Sequence, residues 1–189
     1  MTAEPAAERI VLKPNVGLPD VEEAAFDLQW LLVRHWDASD ERPYEDVWVD
    51  ANEAGSIHYL DDHMVDLRYL TFRGPNSAQN ADDARAALAT YSSEEALSVF
   101  VSAQTVDERV QAVYLAALGA TQHRPAVSSI LEEAVEDDQV AVRHAVAVAI
   151  AYLGWPSLGG LLERLRHDAD ESVRSGADLV HEGLTEERR

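Results

Sequence analysis

The side chains best suited to chemistry crowd into one short stretch, His58-Tyr59-Leu60-Asp61-Asp62-His63-Met64-Val65-Asp66. Two imidazoles and three carboxylates are the donor types that hold zinc and other divalent ions. If strands flank Asp61-Asp62, His58 and His63 can face each other across the turn. No further histidine lies near in sequence, and acidic turns are ordinary in so negative a chain. A solvated hairpin is therefore the favoured reading, and no metal is expected. His181-Glu182 is another imidazole–carboxylate pair, but an isolated one. Gly159-Gly160 falls inside a helical pattern rather than in a phosphate loop after a strand, and neither G-x-S-x-G nor H-E-x-x-H occurs. The chain has no cysteine, which excludes thiolate catalysis, thiolate metal sites and disulfides. No catalytic residue and no cofactor can be assigned.

Charge narrows the partners. There are 35 acidic against 15 basic residues, a formal charge of −20, spread over both halves, and Lys13 is the only lysine. Such a field repels phosphate backbones, whose affinity depends on Lys and Arg displacing counterions, so no nucleic-acid partner is expected. Solubility is the simpler reading of this charge, and attraction of a basic protein is the functional alternative. The opening MTAEPAAERIVLKPNVG has no apolar signal core, and no later apolar run approaches membrane length. No membrane association and a cytoplasmic location are the simplest expectations.

The elements that must position these residues begin with a flexible arm over 1–20, small and polar with Pro5, Pro14 and Pro19. A helix is expected over 21–36, with Asp20 as N-cap and Glu23 as its capping-box partner. Val21, Ala24, Ala25, Leu28, Leu31 and Leu32 form its apolar stripe. Short runs rich in β-branched and aromatic residues at 47–49, 56–60 and 65–72 then read as a three-stranded antiparallel meander. Helix and meander make an α+β module over 21–75. Everything after it, 76–189, reads as helical: about 78–90, 93–104, 107–119, 125–136, 139–153, 157–167 and 170–183. Ser92 with Glu95, Pro125, Pro156, Gly119 and Gly154 supply starts and stops.

Within this helical region a single pattern is written three times, from Asp107, Asp137 and Asp168. Its valines Val110, Val142 and Val173 are spaced by 32 and 31 residues. The middle copy runs from Asp138 through Val142-Arg143, Ala145, Ala149, Ile150 and Leu153-Gly154 to Leu165. It resembles the HEAT-like repeat of the phycobilisome-lyase type, in which an Asp-rich turn precedes a Val-Arg pair opening the second helix of a hairpin. The third copy keeps Val173 and Arg174; the first has Gln111 where the arginine belongs. The resemblance covers about residues 92–183. It implies a mainly α protein: a short α-solenoid of helical hairpins, whose apolar seams are buried by stacking, with the α+β module as its cap. Arg143 and Arg174, beside Asp138 and Asp170, are expected to bridge successive turns.

Helix 139–153 is apolar nearly all round, which marks either enclosure on several sides or an exposed sticky face. If Val142, Ala145, Ala149 and Ile150 face the core, His144, Val148 and Tyr152 point elsewhere. Tyr114 and Trp155 would then join them in a partner-binding groove. The function expected is a non-catalytic protein–protein interaction module. Charge favours a basic protein as its partner, and a homodimer is a further option. The alternative is an enzyme or carrier resembling the bilin lyases, holding a small apolar ligand against Tyr114, Tyr152 and Trp155. A DNA-repair glycosylase of HEAT-like build is disfavoured by the acidity. Iron-dependent hydroxylases of this repeat class use several His-Glu pairs, which this chain lacks.

Overall fold

A computed structural model describes residues 8–186, in two compact units divided between Ser92 and Ser93. The first unit is built on a five-stranded antiparallel sheet. Its strands are β1 (Glu8–Val11), β2 (Leu31–Trp36), β3 (Tyr44–Val49), β4 (Ser56–Asp62) and β5 (Leu67–Arg73), in the order β1-β5-β4-β3-β2. Helix α1 (Leu18–Asp27) joins β1 to β2, and α2 (Ser77–Ala87) follows β5. The period-two alternation of the strands puts Ile10, Trp48, Ile57, Tyr59, Leu70 and Phe72 on one face. They form a core with Val21, Ala24 and Ala25 of α1 and Ala81 and Ala84 of α2.

This corrects the expected fold class. The chain is mixed α/β and not a mainly α solenoid capped by a three-stranded meander. The meander is the centre of a larger sheet, and its two further strands come from segments expected as arm and helix. Arm residues Ile10, Val11 and Leu12 are buried, because β1 pairs with β5 from Glu8↔Phe72 to Val11↔Tyr69; residues 1–7 of the arm lie outside the described residues. The expected helix 21–36 ends at Asp27. Gln29 takes the left-handed conformation, with φ 59°; its N–H bonds the Phe26 carbonyl, and the Trp30 N–H reaches back to the Ala25 carbonyl. This is a Schellman stop without the usual glycine, so no Gly or Pro announced it. Trp30 folds into the core edge-on to Phe72, and Leu31 onward pairs with β3. The α1 start also shifts: Gly17 precedes the helix, and Asp20 accepts the Gly17 N–H at 2.7 Å from the first turn.

Asp50 fastens α2 to the sheet. Its carboxylate accepts the Asn52 and Ala54 amides of the β3–β4 turn at 3.2 and 2.9 Å. It also accepts the Asn76 and Asn80 side chains at 2.9 and 3.2 Å. Gly74, at φ 94°, lets the chain enter α2 close against that turn: a Cβ there would stand 2.5 Å from the Ala54 carbonyl oxygen.

Among the described residues the second unit is helical: α3 (Ser93–Ser102), α4 (Val106–Leu118), α5 (Pro125–Ala134), α6 (Val140–Leu153), a 3-10 turn (Pro156–Leu158), α7 (Gly159–Leu165) and α8 (Glu171–Glu186). The alanine-rich α6 packs between α4 and α8. Thr105 and Glu108 cap α4 reciprocally, and Gly154 ends α6 at φ 59°. Helix α8 runs on past the expected end at 183 to Glu186; residues 187–189 lie outside the described residues.

Candidate functional site

The two edges of the sheet are treated differently. At the β1 edge, the chain after α2 lies alongside: Leu12 bridges to Thr90, the Lys13 N–H bonds the Ala89 carbonyl, and the Tyr91 N–H bonds the Val11 carbonyl, each bond 2.9 Å long. Among the described residues, strand β2 at the other edge pairs with β3 alone, and none of its side chains is buried. Its first three side chains are apolar, with Leu31 61%, Leu32 49% and Val33 52% exposed; Phe26, on the last turn of α1, is 83% exposed. An unpaired edge of this composition is a template for another strand, and natural sheets normally blunt it. Here the blunting is partial: the register slips at Val33, and Arg34 lies over the Trp36 ring at 5.1 Å.

A polar cluster holds the far end of this edge to β3. Asp46, on β3 and 2% exposed, receives His35 Nδ1 at 2.7 Å on one oxygen and the Tyr44 hydroxyl at 3.1 Å on the other. Asp37 Oδ1 stands 3.2 Å from the second His35 nitrogen. Contacts with Asp46, and then Asp37, raise the His35 pKa above the ordinary imidazole value, against a smaller opposing effect of burial. Burial, followed by the bond to Asp46, pushes Tyr44 up to about 12. His35 and Tyr44 meet edge to face, with ring centres 5.1 Å apart. His35, Asp46 and Tyr44 escape a reading of the sequence because their meeting depends on β2–β3 pairing, and residue 35 is expected there on a helix.

The opposite sheet face carries a relay. Ser56 Oγ lies 3.0 Å from His58 Nε2, and His58 Nδ1 lies 2.6 Å from Glu45 Oε1. The order hydroxyl–imidazole–carboxylate is that of an activated nucleophile. Ser56 itself sits within the ladder, opposite Val49 on β3 and Arg73 on β5. The amides around it are thus engaged in strand pairing instead of forming an oxyanion pocket. The relay serves as a polar clasp between β3 and β4.

The acidic turn resolves otherwise than expected. Asp61 and Asp62 belong to β4, and His58 stands opposite Thr71, not His63. Asp62 is buried, accepting the Met64 amide and the Tyr69 hydroxyl at 3.1 Å each. Among the described residues, no three His, Asp or Glu side chains gather as a metal-ligand set.

In the second unit, Tyr114 is buried within α4. His144 is turned against α8, where a Cβ on Gly176 would come 2.8 Å from its Nε2. Val148 and Tyr152 are half-buried on α6. Trp155 packs on His123 at 5.0 Å and lines a cleft of about 150 Å³ with His181 and Leu184. None of the other four residues expected to form a groove lines that cleft. Of the repeat residues, Val142 and Val173 are fully buried and Val110 is half-buried, while Asp107 is exposed. Arg143 bridges two turns, and Arg174 holds the turn before its own helix. Arg143 grips Asp168 through Nε and Nη2 at 2.7 and 2.9 Å and donates to the Asp137 and Asp138 carbonyls at 2.8 and 3.3 Å. Arg174 repeats the carbonyl contact on Asp168 at 2.7 Å. Arg109 reaches Asp137 at 2.5 Å, a counterpart of the Arg143–Asp168 pair that the repeat pattern does not announce. Asp138 is exposed, and Asp170 caps α8 through the Ser172 amide.

No family model matches the chain, and neither the curated proteins nor the solved structures hold a match to it. No helix among the described residues is long and apolar enough to cross a membrane.

Proposed function

We propose that this chain is a protein-binding module without catalytic activity, whose docking element is the open β2 edge. The reading is carried by one observation: an edge strand that starts Leu31-Leu32-Val33, exposes all three side chains and, among the described residues, has a strand on one side only. An added strand gains main-chain hydrogen bonds from the edge and specificity from alternate side chains. The net charge of −20 favours a basic partner by raising the encounter rate, in a reducing, cytoplasmic setting consistent with the lack of cysteine. A second copy pairing β2 against β2 is the symmetric version of the same use of the edge.

The test compares two surface variants of the full chain. Leu32→Lys with Val33→Lys places gatekeeper charges on the edge, while Val101→Lys alters an exposed apolar residue on α3. A protein that binds the wild type and Val101→Lys, but not the edge variant, is the expected outcome. Equal retention by all three proteins overturns the reading. Sedimentation of the same set shows whether a second copy is the occupant.

A further inference from the structure

The sheet's two hydrogen-bonded histidines differ in what their second nitrogen meets. His58 has Glu45 on one side and the Ser56 hydroxyl on the other. A hydroxyl can donate, so a neutral ring satisfies both contacts. His35 has carboxylate oxygens on both sides, Asp46 Oδ1 at 2.7 Å and Asp37 Oδ1 at 3.2 Å. Ionised carboxylates only accept, so both contacts are hydrogen bonds only when the ring carries two protons. The pair therefore separates a histidine held between a carboxylate and a hydroxyl from one held between two carboxylates.

We propose that His35 is a protonation-controlled latch on the open edge: as imidazolium it ties the end of β2 and the following loop to β3, and on deprotonation it lets one carboxylate go. The neutral ring keeps one N–H. The shorter contact, to the buried Asp46, retains it, and Asp37 is released. The carboxylates around the ring favour the imidazolium and outweigh the opposing effect of burial. Asp46 and Tyr44 face it from β3, with Tyr44 already donating to Asp46. Asp37 faces it from the loop, with the Asp37 carbonyl held by Arg42 at 3.2 Å. Glu22 of α1 adds negative potential at Tyr44. Arg34 and Glu45 belong to the other face of the sheet by alternation. The raised His35 pKa has the same cause. A raised folded-state value gives stability that is complete below the ordinary histidine pKa and lost as pH rises through the folded value. The edge is thus held at mildly acidic pH and loosens toward alkaline pH.

This inference rests on the docking reading only for its biological use; the latch itself is measurable on the isolated chain. His35 is titrated by NMR, while exchange of the Trp36 and Glu45 amides, which face each other across β2 and β3, is followed and corrected for intrinsic base catalysis. The expected result is titration above the ordinary value, with edge protection falling across the same interval. Each unit of upward displacement corresponds to about tenfold in protection. Asp37→Asn should move the titration back toward the ordinary value in a folded protein, and His35→Gln should flatten the pH dependence. Titration at or below the ordinary value, or edge protection indifferent to it, overturns the latch. In the Leu32→Lys, Val33→Lys variant the added cations should lower the His35 titration, with edge protection still following it, so a failure of docking and a failure of the latch are told apart.

Discussion

Strands β1 and β2 are the two ends of one sheet, and both carry consecutive apolar residues: Ile10-Val11-Leu12 at and just beyond β1, and Leu31-Leu32-Val33 in β2. The first run is buried and covered by residues 89–91; the second is exposed and, among the described residues, has a strand on one side only. Composition therefore does not decide which edge is closed. What decides it is where the chain goes next. After α2 it passes back along β1, and the Asp50 clamp at the start of α2 fixes that path, whereas after β2 the chain turns at once into β3. An apolar edge left open within the same sheet that seals its other edge is the feature most in need of a use.

The contrast breaks most sharply under matched truncations. Leu12→Ala, at a position 2% exposed, should cost about 2–5 kcal/mol, while Leu32→Ala should stay within about 0.5 kcal/mol. Urea denaturation of the two variants, with m checked for constancy, measures the difference. Asp50→Ala comes next. It leaves two side-chain amides and two backbone amides without their acceptor and should cost about 2–4 kcal/mol. Its signature is faster exchange at Lys13 and Tyr91 than at β2, because α2 carries the cover of the β1 edge. Burial alone would raise the Asp50 pKa, but Asn76, the Ala54 amide, Asn80 and the Asn52 amide together bring it below the usual carboxylate range. This depressed value contributes stability above the unfolded-state pKa that is lost as pH falls through the folded one. Acid titration of the wild type and Asp50→Asn should differ in that sense.

Smaller effects sharpen the comparison. Tyr91→Pro removes the amide that bonds the Val11 carbonyl and should cost about 1 kcal/mol. Amide exchange should then show β1 becoming more like β2. Smallest in stability is Leu32→Lys with Val33→Lys, expected within about 0.5 kcal/mol of wild type because the side chains already face water. Its main readout is a loss of self-association or partner binding, with the denaturation midpoint nearly unmoved.

Sequence periodicity carried the second unit well. From Ser93 to Glu186 each expected helix has its counterpart, because a helix is closed by bonds four residues apart and its apolar stripe is read locally. The Val-Arg repeat likewise pointed to Arg143 as a bridge between turns, and Arg143 does reach the Asp138 carbonyl. Its carboxylate partner is Asp168 and not Asp170, set by the way successive turns approach. The expected groove fared differently. Tyr114, His144, Val148, Tyr152 and Trp155 follow a plausible spacing, yet Tyr114 is buried and His144 is turned toward Gly176, contacts set by the neighbouring helices.

In the first unit the three central strands were legible from alternation and turn residues, and β1 and β2 were not. Leu28, Leu31 and Leu32 satisfy a helical period as well as a strand would, and the stop at Gln29 uses a left-handed residue that carries no sequence mark. By itself the sequence determined the acidity, the absence of thiol chemistry and the helices of the second unit, all properties of composition or of contacts within a few residues. Tertiary structure alone decided that 31–36 is a strand, that its edge stays open and that His35 sits between Asp37 and Asp46. Strand pairing joins residues far apart in the chain, and its register is settled only when the partner strand is in place.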